Sequence, residues 1–133
     1  MITINPHFLS QLLIPITGMA DVDEEVEKYR ELDIADKEQY RAIIRRIIPA
    51  SFYSLTIENQ EKVKLALNYY LSTSEIDFER VFHSCLPPFD HPTNAKDFFV
   101  WIWEELFGDE RFQISDKEQY FINPDIEEPY SIS

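Results

Sequence analysis

Glycine is nearly missing from this chain, with two in 133 residues. Phosphate-cradling loops, hairpin turns and β-bulges all draw on glycine's freedom at positive φ. The shortage points instead to helices joined by turns that the eight prolines mark. Cysteine is scarcer still. The single Cys85 excludes an internal disulfide and fits a reducing compartment. Long apolar runs are absent as well. The longest, Phe98 to Trp103, is bracketed by Lys96, Asp97, Glu104 and Glu105, far short of the roughly 18 residues that a spanning helix needs. The opening residues, Met1 to Pro6, lack the basic stretch of a secretory signal. These absences lead to the expectation of a cytoplasmic protein.

Positive charge is the last shortage. Twelve Lys and Arg stand against 25 Asp and Glu, a net charge of −13. The imbalance is segregated. Residues 1–35 carry seven acids and two bases, residues 36–96 eight of each, and residues 97–133 ten acids and two bases. The net charges are therefore −5, 0 and −8. Such a chain repels phosphates, so neither nucleic acid nor an anionic membrane surface is expected as a partner. An electropositive protein is.

What is present suffices for a core. At 44% apolar and 14% aromatic, the chain is too hydrophobic for a disordered acidic tail, and its length suits one domain. Asn5-Pro6 reads as a cap and first position of a short helix carrying Phe8, Leu9, Leu12, Leu13 and Ile16 on one face. Asp21 with Glu24 resembles a capping box opening a helix lined by Val22, Val26, Tyr29 and Leu32. Tyr40, Ile43, Ile44, Ile47 and Ile48 give the cleanest helical stripe, capped by Asp36 and ended by Pro49. Thr56 opens a helix with Val63, Ala66, Leu67, Tyr70 and Leu71 inward. Ser74 and Asp77 form a capping pair for Phe78, Val81, Phe82 and Cys85. Thr93 or Asn94 caps a helix running to about Phe107, with Gly108 as its stop. Its inner stripe is Phe98, Phe99, Ile102, Trp103 and Leu106, with Val100 and Trp101 off it.

The expected architecture is thus all-α: one helical domain over residues 1–133, a bundle of five or six short helices. Residues 109–133 form an acidic C-terminal segment, either a small β-hairpin of 112–114 with 119–122 or an extended tail. The pentapeptide Asp36-Lys37-Glu38-Gln39-Tyr40 recurs as residues 116–120. Nothing around it repeats, so it is read as coincidence.

No catalytic signature emerges. His83, Cys85, Asp90 and His91 are donors close in sequence, but their spacing matches no standard zinc pattern, and Cys85 reads as a continuation of the apolar stripe. Cys85 as a nucleophile would need a lowered thiol pKa, which the C-terminal end of a helix opposes. Asp21 to Glu25 lacks the glycine of a calcium loop. No catalytic residue, cofactor or metal is expected.

Residues 78–89, Phe-Glu-Arg-Val-Phe-His-Ser-Cys-Leu-Pro-Pro-Phe, followed by 97–107, Asp-Phe-Phe-Val-Trp-Ile-Trp-Glu-Glu-Leu-Phe, resemble small bacterial immunity proteins of contact-dependent growth inhibition systems. The resemblance covers about residues 78–110. It implies a cytoplasmic inhibitor that binds the toxic C-terminal domain of a cell-surface effector, many such toxins being nucleases with basic grooves. A non-toxin module that binds a basic partner, or a cysteine-dependent enzyme, are the alternatives.

Charge reasoning alone supplies the candidate contacts. Asp109, Glu110, Asp116, Glu118, Asp125, Glu127 and Glu128 surround Tyr120 and Tyr130, a mixture of aromatic anchors and steering charge. The alternative patch is Asp21, Asp23, Glu24, Glu25 and Glu27. Self-repulsion among so many acids also makes a thermal prediction. Raising salt from low to physiological ionic strength should raise the melting temperature of the free protein; a fall would mean that attractive pairs dominate.

Overall fold

A computed structural model describes residues 2–108, 110–112, 114, 117–126 and 128–131, with backbone alone for Tyr130 and Ser131. The elements run β1 (Ile2–Ile4), a 3-10 helix (Pro6–Ile16), a short 3-10 turn (Met19–Asp21), α1 (Asp23–Lys28), α2 (Lys37–Tyr53), α3 (Ile57–Thr73), α4 (Phe78–Ser84), α5 (Ala95–Phe107), a 3-10 turn (Lys117–Gln119), β2 (Tyr120–Ile122) and α6 (Glu128–Ser131). Among the described residues the fold is all-α but for one two-stranded pairing.

The aromatic helix α5 is the centre. It packs against α2, α3 and α4, and it is helix rather than strand, started by the Asn94 side chain accepting from the Lys96 amide. Gly108 ends it at φ +60°, a conformation that a side chain disfavours. Phe98, Phe99, Ile102 and Trp103 are buried. Trp101, expected off the inner stripe, is buried too, its ring 5.9 Å from that of Tyr40 on α2. Burial on several sides widens the apolar face beyond what a single stripe would need. Phe82 of α4 and Phe89 of the following loop meet Phe98 at ring-centroid distances of 5.3 and 6.1 Å. The first of these is an edge-to-face pair, which adds to simple area burial.

Several boundaries differ from the sequence reading. The first helix is not short. It runs eleven residues as a 3-10 helix, wedged against α2, α3 and α4. At three residues per turn, Leu9 stacks over Leu12 and Leu13 over Ile16, all buried. The helix that Pro49 was expected to end continues through it to Tyr53. Proline removes one backbone bond, but Phe52, one turn beyond Ile48, is buried with its ring 5.7 Å from Phe107, which carries the helix on. Asp21 does not cap α1. Val22 occupies that position without a side-chain bond, and the helix ends at Lys28, leaving Val22 and Val26 exposed while Tyr29 and Leu32 pack on the core. Ser74 ends α3 in the left-handed region, and Asp77 caps α4 by itself.

Of the two alternatives for the C-terminal segment, the hairpin is not seen among the described residues. The strand Tyr120–Ile122 exists, but it pairs in parallel with β1, in the register Ile2 with Tyr120, Thr3 with Phe121 and Ile4 with Ile122. Gln113, Ser115 and Asp116 of the proposed hairpin lie outside the described residues. Pairing with β1 joins the acidic segment to the buried Ile4, and the Asn123 amide extends the ladder to the Ile4 carbonyl at 2.7 Å.

One ion-pair cluster stitches α2 to α5. Arg41 donates through Nε and Nη2 to Glu105 Oε1 at 3.0 and 2.9 Å, and Arg45 to Oε2 and Oε1 at 3.2 and 2.9 Å. The Glu105 side chain is 11% and Arg41 23% exposed, so losing its charge falls mainly on Arg41, which keeps only Glu104 at 3.7 Å, while Arg45 is 63% exposed and stays solvated. Arg45 and then Arg41 hold its carboxyl below the ordinary value of 4.5. Glu105→Gln should therefore destabilise the fold by about 1–3 kcal/mol in neutral urea titrations. A depressed folded-state pKa stabilises above the unfolded value and stops doing so as pH falls through the folded one. The gap between wild type and variant should close in acid; a gap unchanged between about pH 7 and about pH 3 would contradict this.

Candidate partner-binding surface

Of the C-terminal candidates, Asp109, Asp116, Glu127 and the side chain of Tyr130 lie outside the described residues. The others are tied into the fold. Glu110 accepts from Lys64 Nζ at 2.8 Å, and its carbonyl accepts from the Trp103 indole. Glu128 accepts from Asn5 and Asn123 amides at 2.9 Å each and from Lys62 at 3.2 Å. Tyr120 is half-buried with its ring 5.3 Å from that of Tyr69. Glu118 and Asp125 are exposed, but the Asp125 carbonyl accepts from Asn5 at 2.7 Å and both residues interact within the chain. Next to them Lys117 pairs with Glu75, whose carboxyl is held low by Lys117 and by the Tyr69 hydroxyl. Burial first, then Glu75, pushes the Tyr69 phenol up to about 12. Glu110, Tyr120 and Glu128 are thus part of the packed structure.

The alternative patch is arranged differently. Asp21, Asp23 and Glu24 are exposed and have no side-chain partner among the described residues. Glu25 pairs with Lys28 and Glu27 with Arg30, each at 2.8 Å. Both pairs are local and solvent-facing, an arrangement worth little to stability. The acids of the first turn sit where the helix dipole favours negative charge. Apolar side chains stand among them: Val22 is 41% and Val26 40% exposed, with Ile34 at 46% farther along. The sequence reading had placed both valines inward. Helix α1 buries none of its own residues. It is held from its C-terminal end, where the Tyr29 ring lies 4.8 Å from Phe89 and the Tyr29 hydroxyl accepts from Arg46 at 2.7 Å. A groove of about 350 Å³ runs beside it, lined by Pro15, Ile16, Met19, Tyr29, Ile47 and Pro88, with Glu25, Lys28 and Arg46 as its polar lining.

The donor cluster read from residues 83–91 divides. Cys85 is buried, its Sγ donating to the Phe82 carbonyl at 3.1 Å. Burial pushes its thiol up to about 11, which disfavours the thiolate that nucleophilic chemistry requires. Asp90 is exposed, and its carbonyl accepts from the Tyr40 hydroxyl at 2.7 Å. His83 and His91 come together instead with Glu79, a residue the sequence reading passed over. The available signal was its spacing, four residues before His83 on one helix.

Among the described residues, no helix is long and apolar enough to cross a membrane. Comparison with protein-family models, curated proteins and solved structures gives no match.

Proposed function

We propose that this chain is a binding inhibitor that neutralises a basic toxin domain of the contact-dependent growth inhibition kind, a nuclease in the favoured form. The observation that carries the reading is α1 with the turn before it: the helix buries none of its own residues, and Asp21, Asp23 and Glu24, unpaired among the described residues, are interleaved with the exposed Val22 and Val26. Uncompensated carboxylates beside exposed apolar groups form a surface suited to an electropositive partner. The resemblance of residues 78–110 to immunity proteins supports the same reading. The tethering of Glu110 and Glu128 within the chain moves the preferred contact surface from the C-terminal acids to residues 21–31.

The mechanism follows from the chemistry of such a surface. Carboxylates of the first turn occupy positions that substrate phosphates would take in a basic groove. Long-range attraction raises association toward ~10⁸ M⁻¹s⁻¹ at low salt. Desolvation of Val22 and Val26 at the contact slows dissociation.

The test uses the secreted-effector domain encoded directly upstream. The wild-type chain should bind it with an on-rate that falls steeply with salt and should protect cells that express it. The double change Asp23→Lys, Glu24→Lys lies on an exposed helix that the core does not need. It should lower the on-rate by about tenfold or more and abolish protection. Failure to form a complex, or an on-rate indifferent to both salt and charge reversal, would overturn the reading.

A further inference from the structure

Glu79 and His83 lie one turn apart on α4, which points both side chains off the same face. His91 reaches them from the loop that follows. Glu79 Oε1 stands 3.9 Å from His83 Nε2 and 3.7 Å from His91 Nε2, and the three ligating atoms all lie within 4.8 Å of one another. Around a tetrahedral ion with bonds of about 2.0–2.1 Å, donor atoms sit roughly 3.4 Å apart. The donors stand about 0.3–1.4 Å wider than that, a gap that binding has to close by side-chain rotation.

Three further features prepare the cluster. The wholly buried Phe82 ring packs edge-on against both imidazoles, with centroids 5.9 Å from His83 and 5.8 Å from His91. His91 Nδ1 lies within hydrogen-bond distance of the Pro92 carbonyl. A carbonyl only accepts, so Nδ1 carries a proton, and in the neutral ring a metal takes, Nε2 presents its lone pair toward Glu79 and His83. Metal-ligating histidines are oriented by this kind of outer bond. The loop itself is fixed, by the Tyr40 hydroxyl on the Asp90 carbonyl and by the Thr93 amide donating to the Ile34 carbonyl at 3.4 Å.

We propose that Glu79, His83 and His91 form a three-ligand site for a divalent transition-metal ion of the zinc class. Two imidazoles and a carboxylate suit such ions. The fourth coordination position is open, since the His83 and Glu79 side chains are 56% and 62% exposed; water or a donor from outside the chain completes it. Bound metal joins α4 to the loop of residues 86–93 and, by binding only the folded chain, raises its stability.

Calorimetric titration of zinc into the full chain, with cobalt absorption as a coordination readout, tests this. One ion per chain should bind, and saturating zinc should raise the melting temperature. His83→Ala changes an exposed side chain and should weaken binding by at least about tenfold, as should Glu79→Gln. Cys85→Ser and His7→Ala should leave the affinity unchanged. His91→Ala, checked for folding by circular dichroism, should match His83→Ala. Absence of zinc binding, an affinity that survives His83→Ala, or one lost with Cys85→Ser would overturn the site.

Discussion

Asn5 sits where the two ends of the chain meet, 2% exposed, with its amide fully engaged. Its Oδ1 accepts from the His7 amide and so starts the first 3-10 helix. Its Nδ2 donates to the Asp125 carbonyl and to the Glu128 carboxylate. A buried polar side chain left without partners would cost about 1–3 kcal/mol, so the amide constrains both ends at once. The division of labour among the acids depends on this constraint. Glu128 becomes an internal acceptor shared with Asn123 and Lys62, and β2 is laid beside β1. Glu110 and Glu128, which look like natural docking charge in the sequence, are tied to Lys64 and to Lys62, Asn5 and Asn123. The acids of residues 21–31 are left facing outward.

The remaining charge is handled by position. Glu105 gathers Arg41 and Arg45 between α2 and α5, so the charge-balanced middle contributes cations that neutralise an acid of the third segment. Lys64 does the same for Glu110 and Lys62 for Glu128. Around the aromatic helix α5, then, the local charge is closer to balance than the segment totals suggest. Residues 21–28 carry five acids against Lys28, a net of −4, on a stretch whose helix α1 buries none of its own residues and stands beside an apolar groove.

Much of the helical framework was legible because its signals are local. The stripe of Tyr40, Ile43, Ile44 and Ile48 is buried as its spacing requires, and Asp36, Thr56 and Asn94 cap the helices they precede. What could not be read is long-range. The pentapeptide that opens α2 at residues 36–40 recurs at 116–120, where Tyr120 is a strand residue paired with Ile2; identical local sequence takes its structure from its neighbours. Pro49 failed to stop a helix because Phe52 finds a place in the core beyond it. Val22, just before α1, and Val26 within it have helical spacing, but both stay about 40% exposed. The Glu79, His83 and His91 cluster was hidden because two elements must fold together to make it.

The account turns on whether the C-terminal acids are structural, leaving α1 as the outward-facing charge. Hydrogen exchange on the free, full-length protein measures this residue by residue. The ladder from Ile4 to Asn123 predicts that amides bonded between β1 and the segment from Tyr120 to Asn123 exchange slowly, with protection well above that of α1, whose short exposed helix opens readily. Protection at α1 equal to that of the core, with residues 120–123 exchanging at the rate of an unstructured chain, would contradict it.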